Sequence, residues 1–268
     1  MAILDYNDYV ARLTVNRAAD WQMNFALART GRMSAAWVRF SPIPPIRTTS
    51  VALDKNSEES IGPIPAVSTG RLTFLGTRLN TSAGLGGGIF LVDLLNGSGG
   101  LSAILTTEQT TNLPTAALTR HTSGEGVMVG ILPYVNLGNT TTTVTVSYTN
   151  QSGVSSRIST PTTFGGVNFN TFGTLILIPL QAGDTGVRSV ESLTIAGSTG
   201  VAGNFGVFLF KPLAAISLDS TIAATSSDAI SSGGIINSFC EIHPDACVSV
   251  MALGNQQIIY GSVILTEA

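Results

Sequence analysis

Residues 142–149, Thr-Thr-Val-Thr-Val-Ser-Tyr-Thr, alternate without a break. Val144, Val146 and Tyr148 fall on one side, and Thr143, Thr145, Ser147 and Thr149 on the other. That two-residue period is the signature of a half-buried β-strand, here with β-branched residues on both faces. Asn150-Gln151-Ser152-Gly153 supplies turn residues, and 154–159 reads as the returning strand. Leu175-Ile176-Leu177-Ile178 is a continuous apolar run, as in a strand covered on both faces. Gly183-Asp184-Thr185-Gly186 breaks it, and 187–195 reads as its partner strand. Ser198-Thr199-Gly200 and Gly203 punctuate the chain again before Val207-Phe208-Leu209-Phe210. Short strands at this spacing predict a mainly β fold, a β-sandwich or jelly-roll-like core, rather than a βαβ fold.

Other segments are read around that core. Tyr6, Tyr9, Val10 and Leu13 recur at helical spacing, Ala18, Trp21, Phe25 and Ala28 continue it, and Asp5 can cap it. An N-terminal helical segment is therefore expected over 5–29, packed on its own domain or docked on a neighbouring subunit. Pro42, Pro44, Pro45, Pro63 and Pro65 fix φ and remove backbone donors. Residues 41–66 are accordingly expected to form an extended arm, either a solvated loop or a reach to another subunit. Strands are expected around Leu72, Phe74 and Leu79, and over 88–94, 126–135 and 257–265. The expected divisions are 1–66 for helix and arm, 67–213 for the β core, and 214–268 for a C-terminal extension whose last strand joins that core. Residues 214–236 carry no firm assignment.

Charge sharpens the expectation. Only 11% of residues are ionisable acids or bases, against about a quarter in an ordinary soluble domain. Mean hydropathy is +0.35, yet no run approaches the roughly 20 apolar residues of a membrane helix, so no membrane partner is expected. The uncharged surface is Thr, Ser, Asn and Gly, which repels neighbours weakly and suits burial against other subunits. A net charge of −3 with scattered basic residues leaves no footprint for nucleic acid. The first residues, Met1-Ala2-Ile3-Leu4-Asp5-Tyr6, lack a cationic segment followed by a long apolar one, so folding in a cytoplasm is expected. Asn80, Asn96, Asn139 and Asn150 fit the glycosylation pattern and are read as loop composition.

Few side chains could carry chemistry. The chain has two histidines, His121 and His243, and no Gly-x-Ser-x-Gly elbow. The stretch Cys240-Glu241-Ile242-His243-Pro244-Asp245-Ala246-Cys247 is the densest ligand-like cluster. Two free buried cysteines, a disulfide, or a zinc ion on Cys240, His243 and Cys247 with Asp245 or Glu241 are its readings. Asp184-Thr185-Gly186 matches the tripeptide of aspartic proteases, whose chemistry needs two carboxylates sharing a proton. One copy per chain favours a turn, where Asp and Gly are the expected residues. The Gly-rich residues 81–88 lack the Gly-Lys-Ser/Thr of a phosphate loop and read as a flexible turn. No catalytic, cofactor-binding or metal-ligating residue is assigned, and no cofactor is expected.

Three blocks carry a resemblance: Ser147-Tyr148-Thr149-Asn150-Gln151, residues 181–190, and Ser198-Thr199-Gly200 with Ala202-Gly203-Asn204-Phe205-Gly206. In this order they resemble a family of tailed-bacteriophage virion structural proteins. Asp245-Ala246-Cys247 and Tyr260-Gly261-Ser262 are also similar. The resemblance covers roughly residues 120–268, and more loosely the N-terminal helical region. It implies a non-enzymatic virion component made in the host cytoplasm. The resemblance does not say which part of the virion; low charge, Gly/Thr-rich sheets, the N-terminal helix and the proline arm favour a capsid decoration (cement) protein, associating with identical subunits, as a trimer, and with the major capsid protein or other virion proteins. A tail, collar or baseplate component and a host-surface binding module are the alternatives.

Overall fold

The computed structural model describes residues 18–24, 32–36, 46–61, 72–81, 87–111, 118–218, 224–228, 241–254 and 258–267, with side chains over 46–61, 90–111, 118–215 and 242–251. Over these residues the protein is mainly β, in antiparallel sheets, as expected. The one short helix described is α1 (Gly166–Phe169). No helix among the described residues is long and apolar enough to cross a membrane.

The alternating segment forms β8 (Thr141–Asn150). Val144, Val146 and Tyr148 are fully buried, while Thr145 and Ser147 between them are half-buried. β8 pairs with β10 (Thr162–Gly165), β9 (Arg157–Ile158) and β12 (Val187–Ile195), and β12 pairs with β6 (Gln109–Thr110), making a five-stranded sheet. Of the returning strand expected over 154–159, Arg157 and Ile158 form the ladder with β8, flanked by Asn150 N–H to Val154 O at 3.0 Å and Ser159 N–H to Val146 O at 2.9 Å.

A seven-stranded sheet lies against it. Its path runs β13 (Asn204–Leu218), β7 (Met128–Val135), β11 (Thr174–Ile178), β2 (Arg32–Ala36), β16 (Cys247–Gly254), β5 (Gly87–Gly97) and β3 (Val51–Ala52). A further pairing of β13 with β5 closes six of these strands into a ring. Residues 187–195 were expected to pair with the apolar run at 175–178, and here the structure differs. β11 pairs with β7 and β2, whereas β12 pairs with β8. The reason is burial. β11 places Ile176 and Ile178 in one core cluster and Leu175 in another, so both of its faces are covered, as in a strand inside the larger sheet. β12 buries Val187, Val190, Leu193 and Ile195; Arg188 is exposed, Ser189, Glu191 and Thr194 are half-buried, and Ser192 is a buried polar residue. The segment 179–186 thus crosses between sheets instead of turning a hairpin.

The main core is formed where the two sheets face each other. Val144, Val146, Tyr148 and Phe164 meet Val129, Ile131, Ile176, Phe205, Val207 and Leu209. Phe164 and Phe205 are tilted rings with centroids 5.0 Å apart; such a pair contributes about 0.5–1.5 kcal/mol beyond its buried area. The opposite faces of β5, β7, β11, β13 and β16 share a second cluster that includes Leu94, Leu132, Phe208, Phe210 and Met251. Leu53 joins it. The described part of the expected arm, 46–61, therefore folds onto its own sheet, with Leu53, Glu59 and Ile61 buried and the Ile61 amide donating to Val248 O at 2.9 Å.

A third sheet runs β1 (Ala18–Asn24), β17 (Ile258–Glu267), β4 (Leu72–Thr81) and β14 (Ala224–Asp228), with β15 (Glu241–Ile242) also on β4. This corrects the helical expectation over residues 18–24. Ala18 to Asn24 is a strand pairing residue by residue with Ile264 to Ile258, so cross-strand pairing overrides the helical spacing of Ala18 and Trp21. Residues 5–17 and 25–29 of that expectation lie outside the described residues. Asn80, Asn96 and Asn150 sit in strands rather than loops, the last two buried.

Candidate functional site

The turns of the two facing sheets gather at two ends, and the ionisable groups are concentrated at one of them. There, residues 121–126, 150–153 and 181–186 meet. Gly126 N–H donates to Thr185 O at 2.9 Å, Val187 N–H to Gly124 O at 3.0 Å, and Gln151 N–H to Gly186 O at 3.0 Å. Asp184 is the hub. Its Oδ2 accepts from Tyr148 Oη at 2.5 Å and Arg157 Nε at 2.9 Å. Its Oδ1 accepts from Asn150 Nδ2 at 2.8 Å and an Arg157 terminal nitrogen at 3.2 Å. Gln181 N–H donates to the Tyr148 hydroxyl at 2.8 Å, and Asp184 N–H donates back to Gln181 O at 3.0 Å.

Physical chemistry follows from that inventory. The Arg157 guanidinium, then the Tyr148 and Asn150 donors, hold the Asp184 carboxyl down to about 2. Burial, then the carboxylate beside it, pushes the Tyr148 hydroxyl up. A protease aspartate must share a proton with a second carboxylate. Asp184 is instead kept ionised, and its lone-pair directions are filled by four donors. The Asp-Thr-Gly segment is therefore a cross-link between β8, β9 and the start of β12. Two of the blocks behind the phage resemblance, 147–151 and 181–190, meet at this hub.

A second ionised group lies deeper. Asp93 sits in β5 between Val92 and Leu94, whose side chains enter the second core cluster, and strand alternation turns it to the other face. Arg120 grips it through two bonds, Nε to Oδ2 at 2.8 Å and a terminal nitrogen to Oδ1 at 2.7 Å, and also donates to Leu94 O at 2.6 Å. Cys247 N–H donates to Asp93 Oδ1 at 3.0 Å. Both charged side chains are essentially enclosed, 3% and 1% exposed. His121 follows in a turn with φ +51°; its Nε2 lies 3.4 Å from Asp93 Oδ2 and makes no hydrogen bond. No local motif in the sequence marks Asp93 or Arg120. The available signal was a lone acid inside the apolar run Ile89-Phe90-Leu91-Val92-Asp93-Leu94-Leu95, since such an acid must find a buried partner.

The ligand-like stretch does not converge. Cys247 is a free, fully buried thiol, pushed well up by burial and then by Glu59 and Asp93. His243 and Asp245 are exposed, and His243 Nδ1 accepts the Asp245 amide at 3.1 Å. Asp245 pairs with Lys55 at 2.8 Å, which lowers its pKa. Cys240 lies outside the described residues. Among the described residues no three His, Cys, Asp or Glu side chains are placed to hold a metal ion. Of the Gly-rich segment, Thr81 ends β4 and Gly87 and Gly88 begin β5; residues 82–86 lie outside the described residues.

At the opposite end, residues 99–105, 136–140, 166–173 and 197–204 meet, and no ionisable side chain takes part in the bonds that join them. Thr199, fully buried, accepts Gly138 N–H at 3.2 Å on its hydroxyl, accepts Thr140 N–H at 3.1 Å on its carbonyl, and donates its own N–H to Ala103 O at 2.9 Å. Gly166 N–H donates to Gly138 O at 3.1 Å, and Leu137 N–H to Asn170 O at 2.7 Å. The third block of the resemblance, 198–206, lies here. Comparison of the chain with protein-family models, curated proteins and solved structures returns no match.

Proposed function

We propose that the protein is a non-enzymatic structural component of a tailed-phage virion, a capsid decoration (cement) protein that self-associates and clamps neighbouring major capsid proteins. We read its two facing sheets as a sandwich of the jelly-roll kind. The observation that carries the reading is how the polar side chains are used. Asp184, Tyr148, Asn150 and Arg157 are engaged with one another, as are Asp93 and Arg120. These are joints that hold turns and strands, while much of the remaining surface is Thr, Ser, Asn and Gly. A rigid, sparsely charged shell suits repeated weak contacts in a symmetric lattice, where many modest interfaces add up.

Quantitative mass spectrometry of purified virions tests the reading. Hundreds of copies per particle support decoration. Six, twelve or a few dozen copies overturn it in favour of a neck or tail position, and absence from particles overturns the virion reading altogether. The experiment uses the full chain, because a truncation at residue 65 would remove Leu53 and Ile61 from their buried positions.

A further inference from the structure

The two ends of the facing sheets differ in charge more sharply than the composition requires. Residues 94–107, 126–156, 158–183 and 192–210 contain no Asp, Glu, Lys, Arg or His. Every loop of the end organised by Thr199 falls within these ranges. That end also exposes large apolar side chains: Ile46 59%, Ile104 44%, Leu105 49%, Val135 44%, Val167 58% and Val201 53%.

Backbone bonds place these side chains on neighbouring segments. Ala103 N–H donates to Ala202 O at 2.7 Å, which joins the loop of Ile104 and Leu105 to that of Val201. Asn204, paired with Val135, donates from Nδ2 to Arg47 O at 3.2 Å, next to Ile46. Val167 follows Gly166, which is bonded to Gly138. Among the described residues, the ionisable side chains that follow Ile46 and the loop of Ile104 and Leu105 in sequence are engaged. Arg47 is paired with the buried Glu59, and Glu108 accepts from Ser192 Oγ.

We propose that this uncharged end is the surface through which copies of this chain associate. The inference rests on the self-association proposed above and assigns it a place. The occupant follows from charge complementarity. A partner of different sequence is steered and selected by opposite charge, and among the described residues the four loops of this end carry no ionisable side chain. Two copies of a chain carrying net charge −3 repel each other where their ionised groups meet. At this end they meet without like charges and without stripping water from any ion, while burying apolar area at about 25 cal/mol per Å².

Sedimentation velocity on the full chain, across a concentration series, tests the proposal with Val167→Glu and Val201→Glu. Val154→Glu and Ile158→Glu serve as controls, because those residues are equally exposed, 51% and 52%, at the charged end. All four positions are at the surface, and unchanged near-ultraviolet circular dichroism establishes that each variant folds. Wild type is expected to be oligomeric. Each uncharged-end variant should weaken association at least about tenfold, a change of about 1.4 kcal/mol, and the controls should leave it unchanged. Association that survives both uncharged-end variants, or that is lost equally in the controls, overturns the placement. A wild type that stays monomeric at every concentration overturns it too. The virion reading fails separately, by absence of the protein from purified particles.

Discussion

The two ends of the facing sheets hold their turns together by opposite means. At one end ionised side chains do it: Asp184 collects donors from Tyr148, Asn150 and Arg157, and Arg120 reaches in to Asp93. At the other, backbone amides and one buried hydroxyl do it, around Thr199 and Gly138. An ionic joint tolerates imperfect backbone fit because long side chains adjust, but it is sensitive to pH and to the loss of either partner. A backbone joint is insensitive to both, yet it demands small residues and close approach. It also leaves surface free of charge, which the ionic end cannot do.

The largest effect expected is at Arg120. Arg120→Met leaves Asp93 enclosed and unpaired, and removing one partner of a buried ion pair costs about 3–5 kcal/mol. Equilibrium urea unfolding measures it. Asp93→Leu combined with Arg120→Met should recover much of that loss, because an apolar pair carries no desolvation penalty. A double variant as unstable as Arg120→Met alone would mean that the bonds to Leu94 O and Cys247 N–H, rather than the orphaned charge, set the cost.

Gly138 is the matching weak point of the other end. A Cβ built there would lie 1.7 Å from Thr199 O and 2.3 Å from Thr199 C, so backbone must move. Gly138→Ala is expected to cost about 1–3 kcal/mol, the usual range for forced overpacking. The loss should be the same at pH 3 and pH 7. A pH-dependent loss would show that this end is not free of ionic coupling after all.

These two sites also show what the sequence could disclose. β8 was legible to the residue because it buries one face, so that Val144, Val146 and Tyr148 alternate with threonines. The partner of β12 was not. β11 is apolar on both faces, and an apolar run records burial without recording which strand lies beside it. Residues 18–24 kept helical spacing while pairing with β17, since seven residues are too few for a period to outweigh a neighbouring strand. Asp184 was visible as a motif, but its chemistry was set by Arg157, 27 positions away. Asp93 and Arg120 are separated by the same interval, and no local pattern links them.

The third contrast is in pH. The folded Asp184 carboxyl sits at about 2, below its ordinary 3.8. A lowered value means that its contribution is complete above about pH 4 and is lost as pH falls towards 2. The stability gap between wild type and Asp184→Asn should therefore be widest above pH 4 and narrow towards pH 2. Thr199→Val, which leaves Gly138 N–H without its acceptor, should cost about 1–2 kcal/mol with no change over the same range. Urea midpoints taken from pH 2 to pH 7 check both, and parallel curves for the two variants would erase the distinction between the ends.

The smallest effect tests whether enclosure, rather than ion pairing itself, gives the charged joints their strength. Lys55 and Asp245 approach to 2.8 Å, as closely as Arg120 and Asp93, but their side chains are 31% and 58% exposed. Water screens the attraction, and holding two flexible side chains together costs entropy, so Lys55→Ala should cost only about 0.2–1 kcal/mol. At about 1 M salt the Debye length shrinks to about 3 Å, and most of that small term should vanish. The Arg120→Met loss should persist at the same salt concentration, because ions do not reach the enclosed pair. If Lys55→Ala were as damaging as Arg120→Met, or if both lost their effect in salt, burial would not be what separates them, and the charged end would be a surface network.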